Sequence, residues 1–425
     1  MNGTATYDVI IVGARIAGTA TAALLAQEGF KVLLLEKTTF PSPTVSCPVV
    51  FGNALEVLSR FGAEEVVDRL GAPKLRLYGT DYGFVRVAAH LPPYKGRDYA
   101  YSIQRERLDE AVARHVEQLP GVTLREGFSV TELLHESGRV VGVRGREQGG
   151  AIETIHARLA VIGADGRNSA VARMVGARAY DTKPAHSYLY YAYYRNVTPL
   201  DEPSAMVYRN RPGTALLVFD ADQELTVLSI AAVDPPFEQA RKDPEAAMQR
   251  VLRQVPEVAA RFEQAERATP IVGLAPFGMF RRQAYGPGWA LVGDAGVRLD
   301  PVTGQGIYQG LHTAELLADA LVQVRDGRPW GQAMSEFQRL RDAHSKAAYD
   351  FAAVQSQLTP QPWLSRRLLK HMAADPALAT YYFGTANGAT PAEENFNLWK
   401  ALRLAFTPVP RRQRAPTIAY HGRKG

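Results

Sequence analysis

The sequence predicts an α/β protein. A parallel-sheet domain of Rossmann-like βαβ type is interleaved with a β-rich domain, and a helical C-terminal segment follows. Three observations support this. The chain opens with an apolar strand, a glycine turn and a helix. Two later apolar strands, ending near Gly163 and Val292, also run into glycine-containing turns. Between them, residues 181–270 change to longer β-like runs. The expected division is 1–74, 101–180 and 271–328 for the first domain, 75–100 and 181–270 for the second, and 329–425 for the helical segment with its basic tail.

Each element has a local reason. Tyr7–Val12 is a strand without polar alternation, as befits a strand buried on both faces. A helix follows to about Gln27 and stops at Gly29, and Lys31 to Glu36 forms the second strand of a βαβ unit. Pro41, Pro43 and Pro48 punctuate a loop, after which Leu55, Leu58 and Phe61 mark helical spacing. Residues 75–100 read as short strands with turns. Leu108, Val112 and Val116 share one face of a helix from about Arg105 to Gln118. Thr123–Arg146 reads as paired strands around Ser137-Gly138, and Leu159–Gly163 as a short buried strand. Tyr188 to Tyr194, Ala215 to Phe219 and Leu225 to Ala232 are antiparallel candidates. Trp289–Val292 is again a buried strand, leading into a helix that carries Ile307, Leu311, Ala314, Ala318 and Leu321. Beyond Pro329 the pattern is mainly helical.

Composition narrows the function. The 425 residues are 46% hydrophobic and 22% charged, ordinary for a folded chain able to bury a large core. Lys and Arg number 49 against 43 acidic residues, and this +6 is spread over many segments, so no nucleic-acid partner is expected. Its densest cluster is Arg411, Arg412, Arg414, Arg423 and Lys424, read as a solvated terminus. The nine histidines are scattered and Cys47 is the single cysteine, so no metal site is expected; a lone cysteine also suits a reducing, cytoplasmic location. Arg15 interrupts the apolar stretch Val9–Ala26, so neither a transmembrane segment nor a signal peptide is expected. The oligomeric state is left open.

Chemistry gathers in three glycine groups. In Gly13-Ala14-Arg15-Ile16-Ala17-Gly18 the first glycine makes the strand-to-helix turn, and the helix N-terminus offers N–H groups to a pyrophosphate. Glu36, ending the second strand with Lys37 after it, suits ribose hydroxyls. Arg15 stands where a second glycine normally lets backbone approach phosphate, and its guanidinium either supplies charge there or faces solvent. The second group is Gly163-Ala164-Asp165-Gly166-Arg167-Asn168-Ser169. The third is Gly293-Asp294-Ala295 with Asp300-Pro301 and Gly304-Gln305-Gly306. Each alone is an ordinary turn. Three in this order, each after an apolar strand, point to one adenine-dinucleotide site.

With these motifs the sequence resembles the FAD-dependent group A monooxygenases, the p-hydroxybenzoate hydroxylase-like fold, near the branch related to geranylgeranyl reductases and flavin halogenases. The resemblance spans residues 7 to about 325. It implies a Rossmann-like FAD-binding domain in which Gly13, Ala14, Arg15, Ala17, Gly18, Glu36 and Lys37 hold the ADP half of FAD. It further implies that Arg105 contacts the phosphates and that Asp165 and Gly166 serve FAD and transient nicotinamide. Gly293 and Asp294 would meet the ribityl or pyrophosphate region. Pro301, Gly304, Gln305 and Gly306 would border the flavin ring, with Ser46 in the facing loop. Asp300 stands where many relatives carry a first proline.

The implied chemistry uses FAD, with NADH or NADPH as transient co-substrate and molecular oxygen as reactant. It hydroxylates or epoxidises a hydrophobic, aromatic small molecule through a C4a-hydroperoxyflavin. Pro301 and Cys47 are the catalytic candidates; Cys47 either meets the flavin or is a small buried hydrophobe. Tyr188, Tyr190 and Arg298 are candidate substrate contacts, with ordinary sheet packing and a surface arginine as the competing readings. Reduction of prenyl-type alkenes is one alternative, weakened by the absence of a Tyr-x-Trp-x-Phe-Pro signature. Halogenation is weaker still, without Trp-x-Trp-x-Ile-Pro. A non-catalytic flavin-binding partner or sensor is the alternative of another class.

Overall fold

The protein is described from a computed structural model covering residues 7–46, 48–391 and 406–408. Its first sheet runs in the order Tyr285–Gly286, Trp289–Leu291, Glu153–Gly163, Tyr7–Val12, Val32–Leu35, Val122–Arg125. All neighbours are parallel except the first pair. The strands are apolar throughout because both faces are covered. Val9 and Ile11 pack under the helices Ile16–Gln27, Arg105–Glu117 and Gly306–Arg325, whereas Ile10 faces Phe128, Leu133 and Trp289.

That second cover is the hairpin Phe128–Glu136 with Arg139–Glu147. Ser137 and Gly138 form its tip with φ of 49° and 77°, the paired positive values that match the twist of antiparallel strands. The last stretch of the hairpin pairs with residues 153–156, so one long strand belongs to both the hairpin and the parallel sheet.

The second sheet has the order Glu266–Arg267, Tyr188–Arg195, Thr226–Ala232, Thr214–Asp220, Ser204–Tyr208, Leu77–Asp81, Arg86–His90. Leu77–Asp81 lies parallel to Ser204–Tyr208, so residues near 80 and near 205 share one sheet. One face packs on the helices Pro244–Leu252 and Pro256–Arg261. The opposite face packs on Val49, Phe51 and the helices Trp363–Ala374 and Pro376–Asn387. The helices Pro244–Leu252 and Pro256–Arg261 interrupt the β-like run expected over 181–270. A ribbon of Ala179–Lys183, Met279–Arg282 and Val297–Arg298 lies between the sheets in sequence and pairs with neither.

After the long helix Trp330–Gln355 the chain returns to the second sheet through Trp363–Ala374 and Pro376–Asn387. Asn387 pins this return. Its Oδ1 accepts from Gly52 N at 2.6 Å, and its Nδ2 donates to the carbonyls of Pro92 and Arg97, each at 2.9 Å. A Cβ on Gly52 would stand 2.7 Å from that Oδ1, so the contact needs glycine there. No helix among the described residues is long and apolar enough to cross a membrane.

Candidate active site

The three glycine motifs meet at the carboxyl edge of the parallel sheet. Val12 lies beside both Leu35 and Gly163, and Gly163 beside Leu291. Backbone bonds continue past the strand ends: Gly13 N to Leu35 O at 2.7 Å, Ala164 N to Val12 O at 2.8 Å, Val292 N to Gly163 O at 3.0 Å. Sheets of this kind bind ligands just beyond that edge. The close approach explains the glycines. Gly13 has φ of 104°, and a Cβ there would sit 2.5 Å from the Ala164 carbonyl oxygen. On Gly18 it would be 1.8 Å from the Gly13 oxygen, and on Gly293 2.9 Å from the Ala17 Cβ.

Glu36 is buried at this edge. Its Oε2 accepts from Ala14 N at 3.0 Å, and its Oε1 from the backbone and hydroxyl of Thr38 at 3.1 and 3.0 Å. These bonds aim the carboxylate across the helix start. Lys37, next in sequence, is exposed. Arg15 begins the Ile16–Gln27 helix in extended conformation, with its guanidinium tied down: Nη1 donates to Asp109 Oδ2 at 2.7 Å, and Nη2 to Ser42 Oγ and Pro43 O. Arg105 grips the same carboxylate at 2.8 Å. Fully buried Asp109 thus joins both arginines that sequence analysis associated with the phosphates. Asp165 accepts from Ser169 Oγ and from the N–H groups of Ala170 and Val171, so its carboxylate caps the Ala170–Met174 helix. Gly166 follows with φ of 75° and open space beside it.

The third motif supplies the other wall. Gly293 N donates to Thr313 Oγ1 at 3.0 Å. The Asp294 carboxylate forms no hydrogen bond among the described residues; burial pushes its pKa up, opposed by the fields of Arg298, Arg167 and Arg105. Burial likewise raises Asp300, whose Oδ1 accepts from Val302 N at 3.0 Å and caps the single turn Pro301–Thr303. Gly304 has φ of 68°, Gln305 Nε2 reaches Ala386 O at 3.4 Å, and Gly306 opens the Gly306–Arg325 helix with nothing within 4 Å of a hypothetical Cβ. These observations fit FAD: a backbone cradle that excludes Cβ atoms, a buried acid at the second strand's end, a carboxylate without a partner, and clear space at a helix start.

Beside the 301–306 loop lies a cavity of about 350 Å³. One wall is the sheet edge with Tyr78, Thr80, Tyr82 and Val207. Another is the Trp330–Gln355 helix, through His344, Ala348, Phe351 and Gln355. Val302, Thr303, Gln305, Tyr308 and Gln309 form the third, and Tyr382 and Phe383 close the fourth. Arg209 projects into it and bonds Gln355 Oε1, with no carboxylate partner among the described residues. A second void of about 10 Å³ separates Ser46, Pro48 and Pro301 from Leu189, Tyr191 and Phe219. Cys47 lies outside the described residues.

Two expected substrate contacts are corrected. Tyr188 and Tyr190 point to the opposite face of the sheet, where both rings pack on Phe237 at 5.9 and 6.5 Å. The face toward Pro301 carries Leu189, Tyr191 and Tyr193, and the Tyr191 hydroxyl donates to Thr44 O at 2.9 Å. Arg298 is also corrected. It is 3% exposed, donates to Phe277 O at 2.6 Å and stacks over the Phe277 ring at 4.4 Å, so it braces a loop and lines neither cavity. Sequence reasoning missed His344, Phe351, Tyr382 and Arg209. The four-and-three spacing of His344, Ala348, Phe351 and Gln355 was the available signal, since it places them on one helix face.

The sequence profile of the FAD binding domain matches residues 6–352. The chain belongs to that family. It is similar to the 1H-pyrrole-2-carbonyl-[peptidyl-carrier protein] brominase of Pseudoalteromonas luteoviolacea, with 24% identity over 336 residues, 76% of this chain and 79% of the relative. It is likewise similar to the 3-demethoxyubiquinol 3-hydroxylase of Escherichia coli, with 27% identity over 363 residues, 82% of this chain and 87% of the relative. Among solved structures, a flavoprotein/dehydrogenase from Cytophaga hutchinsonii superposes with a TM-score of 0.78 at 19% identity, covering 94% of this chain and 98% of that one. The last likeness establishes the fold. Together they place the chain among FAD-dependent oxidoreductases with monooxygenase and halogenase relatives.

Proposed function

We propose that the protein is a cytoplasmic, NAD(P)H-using FAD monooxygenase that hydroxylates or epoxidises a hydrophobic, aromatic small molecule with molecular oxygen. The observation that carries this is the cavity of about 350 Å³, walled by Tyr78, Phe351, Tyr382 and Phe383, which abuts the loop expected to border the flavin. Its size and aromatic walls suit an organic substrate held against a cofactor.

In this reading Gly13, Ala14, Ala17 and Gly18 present backbone to the pyrophosphate, and Glu36 accepts from a ribose hydroxyl. Arg15 and Arg105 act from a distance, since Asp109 already neutralises part of their charge. Asp294 receives a hydroxyl of the cofactor, and that bond offsets the cost of its burial. Bound FAD supplies hydride acceptance and the activation of oxygen. The chain orients the substrate and keeps water out. Val302 and Thr303 come from a turn locked by the Asp300 cap, and Tyr78, Phe383 and Phe51 interlock edge to face behind the cavity. The β-rich sheet serves as the substrate domain, laid against the cofactor domain by the C-terminal helices.

The test uses purified protein with FAD, NADH or NADPH, and a panel of aromatic and prenyl compounds. Oxygen uptake coupled to a product heavier by one oxygen atom is expected. Anaerobic saturation of an alkene, a product containing halide, or FAD turnover unaffected by every compound would each defeat the proposal.

A further inference from the structure

Two polar side chains on different walls of the cavity each carry a buried atom without a hydrogen-bond partner. Gln309, on the Gly306–Arg325 helix, is 5% exposed, lines the cavity, and has no hydrogen-bond partner for its Oε1. His344, on the neighbouring Trp330–Gln355 helix, lines the same cavity, and its Nε2 is shielded from solvent and unpartnered. A buried polar atom left unpaired costs about 1–3 kcal/mol, and folded proteins satisfy nearly all of them. Two such atoms on adjacent helices point to a group that arrives with the ligand.

The local structure fixes what kind of group. The His344 ring stacks on His312 with centroids 3.8 Å apart, and Tyr308 meets it edge-on at 5.5 Å. His312 Nδ1 lies 3.1 Å from Glu315 Oε2, and Arg60 holds the other oxygen of that carboxylate at 2.6 Å. His312 is therefore the ring with the anionic partner. Burial, reinforced by His312, pushes the His344 pKa down to about 3, so the ring is neutral near neutral pH, with one nitrogen a donor and the other an acceptor. From His344 the wall continues through Ala348 and Phe351 to Gln355, eleven residues or about 16 Å along the helix. The polar end is thus followed by an apolar stretch at Ala348 and Phe351, and the wall turns polar again at Gln355, which pairs with Arg209.

We propose that Gln309 and His344 are the specificity-determining hydrogen-bonding residues of this cavity, and that its substrate is an extended aromatic compound with a free O–H at one end, which donates to Gln309 Oε1 and accepts from His344 Nε2. This rests on the reading of the cavity as the substrate site. It goes further in naming the functional group recognised and the residues that recognise it. His312 and Glu315 are positioning residues, which hold the His344 ring in place without reaching the ligand.

The experiment titrates the FAD-loaded protein, without NAD(P)H, with 4-hydroxybiphenyl, 4-methoxybiphenyl and 4-acetylbiphenyl. Binding is followed by calorimetry. The hydroxyl compound is expected to bind at least about tenfold tighter than either analogue, the factor that one satisfied buried acceptor supplies. Gln309→Leu should erode that selectivity by weakening the hydroxyl compound alone, His344→Phe should weaken the hydroxyl compound as well, and His344→Gln, which retains a donor, should restore part of that loss. Cofactor content and melting temperature confirm folding of the variants. If a variant fails to fold, the three-compound series on the unaltered protein still decides. Equal affinities, preference for the ketone, or no binding by any of the three would overturn the proposal. Tight, selective binding of the phenol with no oxygenated product on adding NAD(P)H would instead count against the monooxygenase reading alone.

Discussion

Replacing Gly18 by alanine tests whether the three glycine motifs form one cradle. The new Cβ would start 1.8 Å from the Gly13 carbonyl oxygen and 3.3 Å from the Ala164 Cβ. Ordinary contact begins near 3.4 Å, so the helix start and the turn must separate by about 1.6 Å. The atom met is backbone, and no side-chain rotation relieves it. Overpacking of this kind costs about 1–3 kcal/mol in stability. The loss of function should be larger, because the shift moves the N–H groups facing the cradle by more than half a hydrogen-bond length. Charge-assisted bonds contribute about 1.5–3 kcal/mol each, so losing one or two raises the FAD dissociation constant by roughly 10- to 10,000-fold. The assay is flavin content after purification, then titration of apoprotein with FAD by fluorescence quenching, with circular dichroism for the fold. Gly166→Ala is the control: its φ of 75° imposes backbone strain, but no atom lies within 4 Å. A Gly18→Ala protein that folds and binds FAD as tightly as the parent would refute the reasoning.

Other substitutions probe the same site from different directions. Gly306→Ala places a methyl in open space at the first position of a long helix, so apoprotein stability should hold or rise by up to about 1 kcal/mol while FAD affinity falls; unchanged affinity means that space does not face the cofactor. Asp109→Asn leaves Arg15 and Arg105 facing each other without their shared, fully buried carboxylate, and chemical denaturation should show a loss of about 3 kcal/mol. Asp165→Ala leaves the first two N–H groups of the Ala170–Met174 helix without their acceptor, while the Ser169 cap remains, and should cost about 1–2 kcal/mol by the same measurement. His344 gives a pH signature. Its folded pKa is depressed to about 3, so between there and the ordinary histidine value the unfolded chain takes up a proton that the folded one refuses. Stability should therefore fall as pH drops below about 6.5, and melting curves at pH 7 and pH 4.5 should show a smaller loss in His344→Gln.

The glycine cradle proposed for the cofactor was legible in the sequence and the cavity proposed for the substrate was not, for a physical reason that particular residues make plain. Gly13 and Gly18 are required by backbone approaching backbone at 2.5 and 1.8 Å, and a demand of that kind leaves only one residue type available. The strands before them are equally readable, since burial on both faces forces uninterrupted apolar runs such as Val32–Leu35. The same double burial defeated the tyrosine strand. All seven residues from Tyr188 to Tyr194 are buried, so the pattern carries no parity signal, and only the packing of Phe237 on one side and of Val49 and Phe51 on the other distinguishes Tyr190 from Tyr191. Arg298 misled for a related reason: its partners are the carbonyls of residues 277 and 278, which side-chain identity does not encode. The large cavity is assembled from residues near 80, 208, 305, 350 and 385, each on a different element. Its chemistry arises only when the C-terminal helices fold back to the second sheet. That return depends on Asn387, whose three bonds reach Gly52, Pro92 and Arg97 across some 300 residues of sequence. Asn387→Ala should therefore loosen the substrate cavity while leaving the glycine cradle intact. The expected result is a variant that retains FAD but loses affinity for the hydroxybiphenyl probe. Loss of both together would mean that the two sites are not separable in the way their geometry indicates.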